Sequence, residues 1–103
     1  MSKSFDECLR EDRRLALLRL LSEQPGKQAN SSTLHAGLQF LHLIAERHEV
    51  IDNLRFLQTH QLVEMVQLGS ISPDLYGVKL RARGIDVVNG LVEVAGISSP
   101  RRP

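Results

Sequence analysis

Residues 46 to 66 read ERHEVIDNLRFLQTHQLVEMV, and within them one pattern gives way to another. Val50, Leu54 and Leu57 recur at i, i+4 and i+7, which lays an apolar stripe along a helix of about four turns. Leu62, Val63, Met65 and Val66 then make a short, β-prone apolar run. The stripe has to face a core. That leaves the opposite side, with His48, Asp52, Arg55 and Thr59, for solvent or for a ligand.

Downstream, Gly69, Ser70, Ser72, Pro73 and Asp74 supply turn chemistry between Leu62–Gln67 and Tyr76–Leu80, which predicts a hairpin with a long tip. The tip, SISPD, holds no lysine or arginine, so it is not built to grip phosphate. Lys79, Arg81 and Arg83 follow it as the densest basic cluster in the chain's interior. Arg81 to Asn89 is expected to form a short fourth helix with Ile85 and Val88 inward and Gly90 as its stop. Leu91 to Gly96 reads either as a short strand or as an extended arm. We place the domain at residues 1–92 and expect residues 93–103, ending in SSPRRP, to be a flexible basic tail.

Upstream, Ser4 and Glu7 have the spacing of a capping box, so a helix should begin at Phe5. Its apolar positions, Phe5, Cys8, Leu9, Leu15, Leu18 and Leu21 with Leu17 and Leu20 beside them, form a stripe broad enough for burial on more than one side. Arg10, Arg13 and Arg14 in its charged first half read as a solvated face, or as contacts to phosphate or a partner subunit. Pro25 and Gly26 end the helix. Lys27 to Ser32 reads as a polar loop whose Asn30 or Ser31 caps a second helix, Ser32 to His42, with Leu34, Leu38 and Leu41 inward. Between that helix and the opening stretch no glycine or proline marks a break. One long helix to Thr59 and a tight turn near Leu43 to Ala45 are both open, and phase favours the turn. The step from Leu38 to Leu54 rotates a straight helix by roughly 1600°, which leaves the two apolar stripes about 160° apart.

At 103 residues the chain has room for one domain. Its 42% hydrophobic and 24% charged composition is that of a folded globular protein rather than a disordered one. A net charge of +1 gives no global attraction for polyanions, so any nucleic-acid footprint must be local. The single cysteine, Cys8, excludes an internal disulfide, and neither a signal-peptide core nor a membrane-length apolar run is present; the expected location is cytoplasmic. Chemistry is missing too. His35, His42, His48 and His60 lack metal-site spacing, Gly69, Gly77 and Gly84 do not form a phosphate loop, and Ser98 and Ser99 have no nearby base. No enzyme, metal, cofactor or small-molecule substrate is expected.

The order helix, helix, helix, hairpin, helix resembles the winged helix-turn-helix superfamily, a mainly α fold with a small β wing. More narrowly the chain is similar to small winged-helix proteins of Mu-like prophages. The segments that carry the likeness are LREDRRLALLRLLSE at 9–23, EVIDNLRFLQTHQLVEM at 49–65, LYGVKLRARGIDVVNG at 75–90 and the PRRP ending. The resemblance implies a phage or prophage origin and a regulatory DNA-binding role, with the third helix in the major groove of double-stranded DNA. On that reading Arg47, His48, Ile51 and Arg55 meet the duplex, and Lys79, Arg81 and Arg83 add a basic flank. A homodimer is expected, because one short helix reads few base pairs. Two features depart from the pattern. Gln61 stands where a glycine is usual before the strand, and Glu46, Glu49 and Asp52 share the third helix with the basic candidates. A protein-interaction module and a structural or morphogenetic phage component are the alternative classes.

Overall fold

The computed structural model describes residues 3–70 and 72–100. Ile71 in the hairpin tip and the tail residues Arg101 and Arg102 lie outside the described residues. The described residues are mainly helical, with four α-helices and one three-stranded antiparallel sheet among them. Helix α1 spans Phe5–Glu23, and Ser4 caps it by accepting from the Glu7 amide at 3.1 Å. A single 3-10 turn, Pro25–Lys27, leads into strand β1, Gln28–Asn30. Helix α2 covers Ser31–Phe40 and α3 covers Arg47–Thr59. Strands β2, Val63–Gln67, and β3, Tyr76–Leu80, form the hairpin, and α4, Ala82–Val88, closes the series of elements.

The break between the second and third helices is real, and it has the same chemistry as two other helix ends. In α2 the Leu43 amide donates to the Leu38 carbonyl and the His42 amide to Gln39; in α3 Leu62 donates to Leu57 and Gln61 to Gln58; in α4 Leu91 donates to Asp86 and Gly90 to Val87. These paired six-to-one and five-to-two bonds satisfy carbonyls that the helix leaves open, and they require a left-handed residue in between. His42 (φ 61°), Gln61 (φ 62°) and Gly90 (φ 77°) are those residues. Only the last is a glycine, so two of the three stops carry backbone strain.

The sheet corrects the expectation of a bare hairpin. Its order is β1-β3-β2, with Gln28, Ala29 and Asn30 paired to Lys79, Val78 and Gly77. The segment read as a polar loop is therefore an edge strand. Alternation sends Ala29, Val78, Met65, Val63 and Leu80 toward the helices, and leaves Gln28, Lys79 and Glu64 side by side on the outer face. Leu17, Leu18 and Leu21 of α1, Leu34 and Leu38 of α2, and Val50, Leu54 and Leu57 of α3 form the centre of the core, each at most 1% exposed. At about 1.5–3 kcal/mol for each fully buried side chain of this size, these leucines and the valine dominate the favourable side of folding. Gly37 lets α2 approach α1 closely, since a Cβ there would sit 2.8 Å from Leu20 Cδ1.

The C-terminal segment also departs from expectation. Val94 and Ile97 are buried in the core and Ser98 is 5% exposed, so the packed unit runs past residue 92 and residues 93–100 are not a free tail. Arg14 of α1 holds this segment. Its Nη1 donates to the Gly96 carbonyl at 2.9 Å, its Nε donates to Asn53 Oδ1 of α3 at 3.0 Å, and its guanidinium lies 3.7 Å from the centre of the Phe56 ring. Ser98 adds a hydroxyl bond to the Asp12 carboxylate, and its amide donates to the Glu11 carbonyl. Burial, reinforced by nearby Arg10, pushes the Arg14 guanidinium below its ordinary value, while Glu11 pulls the other way. It stays charged at neutral pH.

Candidate nucleic-acid interface

Helix α3 is amphipathic about the stripe that the sequence shows, and its outer side borders an open groove lined by Glu46, Arg47, His48, Ile51, Asp52, Arg55 and Asp74. Four of the seven candidate residues, Arg47, His48, Ile51 and Arg55, thus come together. Asp74, from the hairpin tip, joins them across the groove.

Each member has a local reason for its position. Glu46 is the N-cap of α3, and Glu49 reaches back to the Glu46 amide at 3.0 Å, completing a capping box that neither residue suggests by type alone. Two of the carboxylates that count against an anionic ligand are thereby explained by helix initiation, where negative charge also suits the macrodipole. Glu49 lies in addition 4.0 Å from Arg13. Arg47 reaches Ser32 Oγ at 3.4 Å, a long bond that leaves most of its donors available. His48 is exposed, 3.5 Å from Glu46. Arg55 donates to the Tyr76 hydroxyl at 2.9 Å and packs over that ring, which fixes the guanidinium between α3 and β3. Ile51 is only 8% exposed, so it forms part of the groove floor and presents little surface to a ligand.

The remaining three candidates sit elsewhere. Lys79 is on the outer face of the sheet, in register with Glu64 on one side and Gln28 on the other. Arg81 is the N-cap of α4, with its amide bonded to the Leu62 carbonyl. Arg83 donates from Nε to the His60 carbonyl at 3.1 Å, placing a cation at the carboxyl end of α3 where the helix dipole favours it. None of the three lines the α3 groove.

The groove's electrostatics follow directly. Three carboxylates, Glu46, Asp52 and Asp74, face two guanidinium groups, Arg47 and Arg55, with the His48 imidazole beside them. Sequence reasoning missed Asp74, because nothing in the tip's composition says which helix the tip leans against. It also missed Tyr76, which orients Arg55. Among the described residues no group of three or more His, Cys, Asp or Glu side chains could hold a metal ion, and no helix is long and apolar enough to cross a membrane.

Comparison with known proteins is narrow. No family model matches the chain. No solved structure matches it either. The uncharacterized protein gp26 of Escherichia phage Mu is 35% identical over 97 residues, which cover 94% of this chain and 96% of gp26. With similarity spread across nearly the whole of both proteins, the chain belongs to the family of the phage Mu protein gp26.

Proposed function

We propose that the chain is a winged helix-turn-helix domain of a Mu-like phage regulator, and that the outer side of α3 docks on duplex DNA. The observation that carries this reading is the corner from α2 to α3 followed by the three-stranded sheet. It leaves one face of α3 open, with Arg47 and His48 in its first turn and the β2–β3 tip alongside. That is the side from which a helix enters a major groove, where residues of the first turns reach base edges and flanking basic groups reach phosphate.

Fluorescence anisotropy with a random-sequence duplex at 50 and 200 mM salt tests it. Two or three phosphate contacts from Arg47, Arg55 and His48 give a salt exponent of about −1.8 to −2.7, so affinity should fall roughly twelve- to fortyfold between these conditions. Absence of salt-sensitive binding at protein concentrations of tens of micromolar, around the usual non-specific range, sinks the reading. The excess of carboxylates favours a second reading, a protein ligand that presents basic side chains to the same groove.

A further inference from the structure

Among the described residues, three of the large apolar side chains left exposed fall within five consecutive positions: Phe40 at 83%, Leu41 at 45% and Ile44 at 67%. They sit at the α2–α3 corner. Leu41 and Leu43 form one wall of a groove whose floor is the α1 face carrying Leu15, Ala16 and Leu20. The close approach at Gly37 brings the end of α2 against Leu20, and Phe40, one turn beyond Gly37, extends the same side of α2. Contiguous apolar surface of this kind marks an interaction site more often than single exposed leucines do.

The charges at the groove's edge indicate the occupant. Arg19 and Glu23 both line it, four residues apart on one face of α1, and both are exposed. Among the described residues neither forms an ion pair. We propose that a second copy of this chain docks here about a two-fold axis. At 1.5 Å per residue the two charges are about 6 Å apart along α1. An axis across α1 midway between them, level with Leu21, sets Arg19 of each copy against Glu23 of the other, while Leu20 and Leu41 of the groove and the neighbouring Phe40 are covered. Such reciprocity is what an isologous interface demands. The surface shares no residue with the α3 groove, so the dimer forms whether or not that groove binds DNA.

Sedimentation velocity on the full chain tests the proposal, with circular dichroism to verify that each variant is folded. The wild type should be a dimer at micromolar concentration. Arg19→Glu and Glu23→Arg should each weaken it roughly tenfold, since each places like charges opposite one another twice. The double variant R19E/E23R should return the dissociation constant to within about threefold of wild type, because the reversed pairs attract again. Phe40→Asp should give a monomer. A wild type that stays monomeric up to about 100 μM, which puts any dissociation constant at about a millimolar or weaker, overturns the proposal. So does a dimer indifferent to Phe40→Asp, or single variants that weaken association without recovery in the double.

Discussion

Replacing Arg14 by methionine keeps the aliphatic stem and deletes the guanidinium that ties α1, α3 and the C-terminal segment together. The change removes the bonds to Asn53 Oδ1 at 3.0 Å and the Gly96 carbonyl at 2.9 Å, and the contact with Phe56 at 3.7 Å. A bond from a charged donor contributes about 1.5–3 kcal/mol, and since Arg14 is only partly buried the lower figure applies, giving about 3 kcal/mol for the two. The cation–π contact adds about 1 kcal/mol. Burying the thioether returns about 1 kcal/mol. The net expected loss is therefore about 3 kcal/mol, which a domain with 5–15 kcal/mol in hand, roughly, survives. In urea, with a slope of about 1 kcal/mol per molar, the midpoint should fall by roughly 3 M. Arg13→Met is the matched control. Arg13 Nη2 donates to the Ile44 carbonyl at 2.6 Å, but its Nε is buried without a partner. Its removal relieves one desolvated donor as it loses one bond and a long, half-exposed pairing with Glu49 at 4.0 Å, so the cost should stay below about 1 kcal/mol. A loss below about 1 kcal/mol for Arg14→Met, or one equal to that of Arg13→Met, refutes the reasoning.

Further outcomes follow from single positions. Gly84→Ala would push a Cβ into the Leu62 carbonyl and within 2.6 Å of Leu80 Cδ1, so it should destabilise by about 3 kcal/mol or more in a thermal melt, whereas Gly69→Ala, whose nearest neighbours are atoms of the flexible Gln67 side chain, should be near neutral. Gln61→Gly relieves a left-handed non-glycine residue and should raise the urea midpoint by an amount equivalent to roughly 1 kcal/mol; a lower midpoint contradicts the strain assigned to that cap. Arg47→Ala and Arg55→Ala should each weaken duplex binding in anisotropy, and unchanged affinity in both moves the contact to Lys79, Arg81 and Arg83. The pair D52N/D74N should tighten binding several-fold at low salt, about what removing two like charges within a Debye length gives; no change there argues against phosphate near the groove.

The sequence displays the helices well because their signals are local. The Ser4 cap, the Pro25–Gly26 stop and the stripe of Val50, Leu54 and Leu57 each act within a few residues, and each is where periodicity places it. The α2 stop was legible only through phase. Its left-handed residue is His42 rather than a glycine, and its anchoring leucine looks like helix continuation. Strand β1 was hidden for a different reason: in three residues only Ala29 faces inward, so alternation has nothing to display. By type Arg14 reads as solvated charge and Ser98 as tail, because their partners are remote in sequence: Arg14 meets Asn53 and Gly96, 39 and 82 positions away, and Ser98 meets Asp12, 86 positions away. In the candidate interface, composition identified Arg47, His48 and Arg55. It does not separate carboxylates that begin a helix, Glu46 and Glu49, from Asp52 and Asp74, which line the groove and have no part in that cap.

The clasp between α1 and the C-terminal segment has a consequence for time as well as for stability. Its bonds join residues 82 and 86 positions apart, Arg14 to Gly96 and Asp12 to Ser98, so forming them closes nearly the whole chain into a loop. Closure over that span comes after the local helices and the β2–β3 hairpin have condensed, since its entropy is repaid only once both ends are already positioned. Contacts made that late are absent from the folding transition state. Weakening them, as in Arg14→Met, should leave the folding rate nearly unchanged and accelerate unfolding, an expectation that stopped-flow folding and unfolding rates check.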